Sequence, residues 1–263
     1  MAKQMRINMS DHPTDAKGLR TGSILALSLA ASCGLAVAGG GAHWGYEGAE
    51  GPAHWGELDP HFAACAAGMH QSPIDLHDAV DTNLPPIEFH YAVAGRDEIN
   101  NGHTIQIDYT PGSWVTLDGH DYALRQFHFH TPSENHVDGH AFPLEAHLVH
   151  ADKDGHLLVI AMMFEEGARN HALATAWQDM PEQPHTHHEL LTRASAGALL
   201  PTARDYYRFE GSLTTPPCSE GVTWLVMKQP VTASGEQIQH FAQVMGHPNN
   251  RPIQATNDRI ILQ

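Results

Sequence analysis

The sequence predicts a single, mainly β domain with a few peripheral helices, and three observations lead there. Short runs rich in β-branched and aromatic residues recur between Gly, Pro, Asn and Asp; helical periodicity is scarce; and no linker divides the 263 residues. The runs that read as strands are residues 103–109, 113–117, 122–130, 144–150, 157–164 and 222–228. Two segments read as helices, 168–180 and 234–245. The second opens on a serine cap and places Ile238, Phe241, Val244 and Met245 on one side. From Trp44 to Gly68 the chain is rich in Gly, Ala, Trp and His without a sustained period, which predicts an irregular arm lying over the core.

The first forty residues follow other rules. Lys3, Arg6, Lys17 and Arg20 precede an apolar run at 24–38 that ends in Ala36-Val37-Ala38. A basic region, an apolar stretch of this length and a small-x-small site make a secretory signal, too short to span a bilayer comfortably. Residues 1–38 are therefore expected to be a signal peptide cleaved after Ala38, leaving a single domain at 39–263 in the periplasm or secreted. The alternatives are an uncleaved anchor helix and lipid attachment at Cys33, since Leu29 to Cys33 resembles a lipoprotein processing box.

Acidic residues outnumber basic ones 30 to 14, a formal charge of −16. Cleavage would remove four basic and two acidic residues and leave 10 against 28, or −18. Such a surface repels phosphate backbones and anionic lipids, which argues against nucleic acid and against a stable membrane association of the processed chain. Cys65 and Cys218 are the cysteines that would remain, and in an oxidising compartment they form a natural disulfide pair. The alternative is two buried thiols.

Histidine makes up 22 of the 263 residues, so about two H-x-H pairs are expected by chance, and two occur. Only context separates them. In Gln126-Phe127-His128-Phe129-His130 polar residues alternate with aromatics, so a strand sends Gln126, His128 and His130 to one face. Glu145-Ala146-His147-Leu148-Val149 repeats the pattern. If the two strands are neighbours, three imidazoles converge, a set that suits zinc and leaves a fourth position open for water. Gln126 and Glu145, each two residues before a ligand, can accept the N–H of the nitrogen that faces away from the metal. His185-Thr186-His187-His188 follows Pro181 and Pro184 in a polar stretch without that alternation, and reads as solvated surface or adventitious metal binding.

Several motifs together resemble the alpha-class carbonic anhydrases of bacterial, exported type. They are Gln71-Ser72-Pro73-Ile74, Asn101-Gly102-His103, Phe127-His128-Phe129-His130, Ser133-Glu134-Asn135, Glu145-Ala146-His147-Leu148-Val149, Gly211 to Pro217, and Trp224. They run in order from about Trp44 to the C-terminus. The resemblance implies a large, twisted, mostly antiparallel central sheet and reversible hydration of carbon dioxide to bicarbonate and a proton by attack of zinc-bound hydroxide. It implies Zn2+ on His128, His130 and His147, Thr214 gated by Glu134, and proton release through His103. It implies a substrate pocket of Val149, Val159, Leu213, Thr215, Val222 and Trp224, and a water network ordered by Tyr46 and Asn101. The subgroup carries a Cys65–Cys218 type of bridge and suggests a homodimer. His70 and Thr131 depart from residues common in the family, but neither lies among the ligands. Two other classes compete: a binding module on the same fold, against which all three histidines count, and a zinc hydrolase, for which no H-E-x-x-H helix occurs.

Overall fold

A computed structural model describes residues 42–263; the expected signal segment, the expected cleavage after Ala38 and Cys33 lie outside the described residues. The described strands are β1 (Asp75–Leu76), β2 (Glu88–Tyr91), β3 (Gly95–Asn100), β4 (Ile105–Asp108), β5 (Ser113–Leu117), β6 (His120–His130), β7 (His136–Val137), β8 (Leu144–Ala151), β9 (Leu157–Glu166), β10 (Thr186–Ala194), β11 (Tyr206–Ser212), β12 (Glu220–Met227) and β13 (Val231–Ala233). The described α-helices are α1 (Trp55–Leu58), α2 (Ala64–Ala67), α3 (His171–Ala176) and α4 (Gly235–Met245). An eleven-stranded sheet runs β10-β3-β4-β6-β8-β9-β12-β11, with β5 and β2 added beyond β6 and β13 pairing with β9. Its pairs are antiparallel except β9–β12 and β9–β13.

All six predicted strands form, with ends within two residues of expectation. The sheet is covered on both faces, which is why all eight residues of β8 are buried. One face carries the larger core, with Ile105, Ile107, Phe127, Phe129, Leu148 and Ile160. Helix α4 closes that side. Ser234 accepts from the Gln237 N–H while the Gln237 side chain returns the bond to the cap, and Gly246 ends the helix in the left-handed region at φ 73°. Its Phe241 stacks on Trp177 at 5.3 Å and meets Phe129 edge-on at 5.9 Å. The other face carries a smaller core of Ile74, Val149, Val159, Val222 and Trp224, and it is here that the polar side chains of β6 and β8 emerge.

Three local readings change. Helix α3 covers only six residues of the predicted 168–180, capped by Asn170, whose Oδ1 accepts from two backbone N–H groups. The 44–68 arm is not irregular throughout. It winds through α1, α2 and short 3-10 turns, with Trp55 fully buried and donating through Nε1 to the Gly45 and Glu50 carbonyls. Residues 186–188 are strand after all: Thr186, His187 and His188 pair with Asn100, Ile99 and Glu98 at the sheet edge. The edge position explains the missing alternation, because β10 has side chains exposed on most of its length.

Glu98, on β3, is fully buried, and neither of its carboxylate oxygens has a hydrogen-bond partner among the described residues. Burial pushes its pKa up to about 8, and Asp179 pushes the same way. The folded value lies above the ordinary 4.5, so the native state keeps a proton that the unfolded chain gives up. Stability contributed by the protonated form is full below about pH 4.5, declines as pH rises towards 8, and is flat beyond. Glu98→Gln should match the wild type near pH 4 and unfold at a higher temperature near pH 9. Parallel melting curves across that window would show that Glu98 finds a partner in solution.

Candidate metal centre

The centre is built by register. His128 on β6 lies directly opposite His147 on β8, and His130 opposite Glu145. A bulge at Arg125 shifts β6 between Leu124 and Gln126, so Leu124, Phe127 and Phe129 all face the larger core while Gln126, His128 and His130 face the other way. On β8, Glu145, His147 and Val149 share that second face. The ring centroids stand 5.0 Å (His128–His130), 5.3 Å (His128–His147) and 4.6 Å (His130–His147) apart.

A separate acceptor fixes each ring. Nδ1–H of His128 donates to Gln126 Oε1 at 2.8 Å, Nδ1–H of His130 to the Asn249 carbonyl at 2.7 Å, and Nε2–H of His147 to Glu145 Oε1 at 2.9 Å. The remaining nitrogens, Nε2 of His128 and His130 and Nδ1 of His147, are left as lone-pair donors, and the three residues offer ligand atoms within 4.8 Å of one another. Burial lowers all three pKa values, which keeps the rings neutral and able to ligate. The Nε2 of His130 is buried without a partner, an orphan that a metal ion would satisfy.

Glu145 does more than orient His147: its Oε2 accepts from the N–H groups of Glu134 and Asn135, and Oε1 from Asn135 Nδ2. Glu134 is thereby held with Oε1 accepting from the Arg251 N–H at 2.8 Å. Its Oε2 lies 3.5 Å from His130 Nε2 and 3.9 Å from His147 Nδ1. Burial raises Glu134 to about 8, against the pull of the Arg251 N–H and of the Thr214 hydroxyl. Thr214 is buried beside it in the loop after β11, yet Glu134 Oε2 closes no full hydrogen bond.

Val149, Val159, Val222 and Trp224 form one apolar surface with Leu213 packed on it, and Trp224 meets His147 edge-on at 4.9 Å. Thr215 bends the same loop by accepting from the Cys218 N–H. Cys218 is disulfide-bonded to Cys65, so the bridge ties this loop to α2.

His103 sits on the turn between β3 and β4. Asn101 Oδ1 accepts from the N–H groups of His103 and Thr104, so Asn101 shapes the turn itself. The His103 ring lies flat on Trp44, 3.7 Å away and 8° from parallel. Tyr46 stands 6.4 Å from it. Sequence reasoning missed Asn249 and Arg251. Asn249 accepts from His130 through its backbone, and its Nδ2 donates to the carbonyls of His103 and Phe129, tying the turn to the ligand strand. No local pattern marks these residues, which arrive more than a hundred positions downstream.

A β-sheet that raises three neutral imidazoles beside an apolar wall defines a candidate metal-binding site. The profile of the eukaryotic-type carbonic anhydrase family matches residues 50–263. A carbonic anhydrase of Pectobacterium carotovorum is 52% identical over 230 residues, covering 88% of this chain and 94% of the relative. One from Pectobacterium atrosepticum is 51% identical, covering 90% and 97%. The solved alpha-carbonic anhydrase of Thermovibrio ammonificans, in complex with the inhibitor sulfanilamide, superposes with a TM-score of 0.84 at 48% identity, covering 85% of this chain and all of that one. The chain belongs to the eukaryotic-type, or alpha, carbonic anhydrase family, and it is an enzyme of that class.

Proposed function

We propose that this chain is an exported zinc enzyme that hydrates carbon dioxide reversibly to bicarbonate and a proton, its catalytic domain being 39–263 behind a cleaved signal at 1–38. The observation that carries the zinc assignment is the trio His128, His130 and His147, each ring fixed by its own acceptor so that one lone pair points inward. Three nitrogen donors suit zinc at a catalytic site. Bound there, zinc would supply a water acidic enough to ionise near neutral pH.

The chain's own residues do the rest. Gln126, Glu145 and the Asn249 carbonyl hold the rings in place. The charge of a zinc ion on the three rings would offset the burial that raises Glu134 and favour its carboxylate form; that carboxylate can only accept, so it directs the Thr214 hydroxyl to donate towards it and leaves the Thr214 oxygen to accept from the nucleophile. Val149, Val159, Leu213, Val222 and Trp224, with Thr215 at the edge, give a neutral, linear substrate an apolar resting place. His103 takes the product proton towards solvent, in a turn shaped by Asn101 and beside Tyr46. A periplasmic or secreted location is supported by the disulfide, which persists in oxidising compartments. Among the described residues no helix is long and apolar enough to cross a membrane. The homodimer implied by the resemblance belongs to the same reading.

The test is metal removal. Dialysis against a chelator should abolish carbon dioxide hydration, one equivalent of zinc should restore it, and sulfanilamide should inhibit the restored enzyme. A hydration rate that survives the loss of zinc would refute the assignment.

A further inference from the structure

Two histidines outside the centre border the turn that carries His103. His185 immediately precedes β10, and its backbone N–H donates to the carbonyl of Asn100, the last residue of β3, at 2.7 Å. Its φ of 62° lies in the left-handed region, which strains a non-glycine residue and which Asn or Gly would occupy more easily. The side chain is exposed and repays none of that by core burial. Its ring lies instead over Gly102: a methyl group placed there would come within 3.1 Å of His185 Cε1.

His247 follows the Gly246 cap of α4 and stands two residues before Asn249, the residue that holds both His130 and the His103 carbonyl. With His43, Trp44, Tyr46, Glu50 and His103 it lines one open cavity of about 220 Å³. Its Nδ1–H donates to the Pro248 carbonyl at 2.9 Å, a tautomer that leaves Nε2 as a proton acceptor. His43, on the same rim, is instead paired with Glu50 at 3.5 Å.

We propose that His185 and His247 form a second tier of proton acceptors, taking the proton from His103 and delivering it to solvent. The inference rests on the reading of His103 as the proton carrier of the reaction proposed above. His103 is half-buried with one face covered by Trp44. Burial, and then the nearby imidazoles of His43, His185 and His247, push its pKa down to about 4. A proton reaching such a ring either returns to the centre or passes on, so the rate of turnover depends on an acceptor standing ready to capture it. In the step, the N–H bond of the His103 imidazolium breaks and an N–H bond forms, through intervening water, on Nε2 of His247 or a ring nitrogen of His185. His103 returns to its neutral form, and a buffer base removes the proton from the second ring.

The experiment uses the zinc-loaded enzyme with His185→Asn, which suits the left-handed backbone, His247→Gln, the double variant, and His103→Ala. In dilute buffer the double variant should lose kcat by about threefold or more with kcat/KM unchanged, and concentrated imidazole buffer should restore it. In an NMR titration of the histidine rings, the midpoint of His103 should rise in the double variant, because two of the neighbouring imidazoles that hold it down are gone. An undiminished kcat in dilute buffer, a loss that concentrated buffer does not repair, or an unmoved His103 midpoint would overturn the proposal. If His103→Ala itself keeps full kcat in dilute buffer, the underlying reading of His103 fails instead.

Discussion

His147→Ala is expected to emerge from purification without stoichiometric zinc and to lose carbon dioxide hydration by far more than about 100-fold. Loss of an outer partner that merely orients a metal ligand typically costs about 10- to 100-fold, and His147 is placed to be a ligand itself. Its ring nitrogen is one of three that converge within 4.8 Å, and two donors leave a divalent ion mostly hydrated and weakly held. His150→Ala is the matched control. It removes an equally buried imidazole three residues further along β8, on the opposite face, where Nε2 meets the Tyr91 hydroxyl at 2.7 Å. That variant should be less stable yet keep its zinc. Equal metal loss in both would mean that the sheet, not the trio, governs retention.

The second large effect concerns Cys65 and Cys218. Their bridge spans a sequence separation of 153, for which the loop-entropy relation gives about 5 kcal/mol of stabilisation. For a domain of this size that corresponds to a fall in Tm of roughly 10–20 °C. The double variant Cys65→Ala/Cys218→Ala should melt lower by an amount in that range, and reductant should bring the wild type down to it while leaving the variant unmoved. Turnover should fall as well, because the bridge restrains the loop that presents Thr214. Wild-type melting that ignores both reductant and substitution would place the stability of the arm elsewhere, in Trp55 and in Arg251, whose guanidinium donates to Cys65, Gln71 and Ser72.

The strands that carry the trio were legible because their period-2 pattern is strict: Phe127 and Phe129 against His128 and His130, Ala146 and Leu148 against Glu145 and His147. A face that is polar within an otherwise apolar strand is visible without a structure. Strands β3 and β10 were not legible. The first reads GRDEIN and buries a glutamate, and the second reads THHELLTRA at a sheet edge, so neither shows the alternation that a half-buried strand displays. The orienting partners divide in the same way. Gln126 and Glu145 sit two residues from the rings they hold and betray themselves by spacing, whereas the partner of His130 is a backbone carbonyl at Asn249, and a carbonyl belongs to every residue. The bulge at Arg125 left no mark either, although it alone lets Leu124 and Phe127 share a face. Loop residues such as Thr214 were legible only through the family resemblance.

Zinc K-edge X-ray absorption of the metal-loaded protein addresses the centre most directly. Three nitrogen scatterers of imidazole type at about 2.0–2.1 Å and one further oxygen are expected, an open tetrahedron on His128, His130 and His147. A six-coordinate oxygen shell, or imidazole scattering that persists unchanged in His147→Ala, would contradict it and place the metal somewhere other than the β6–β8 face.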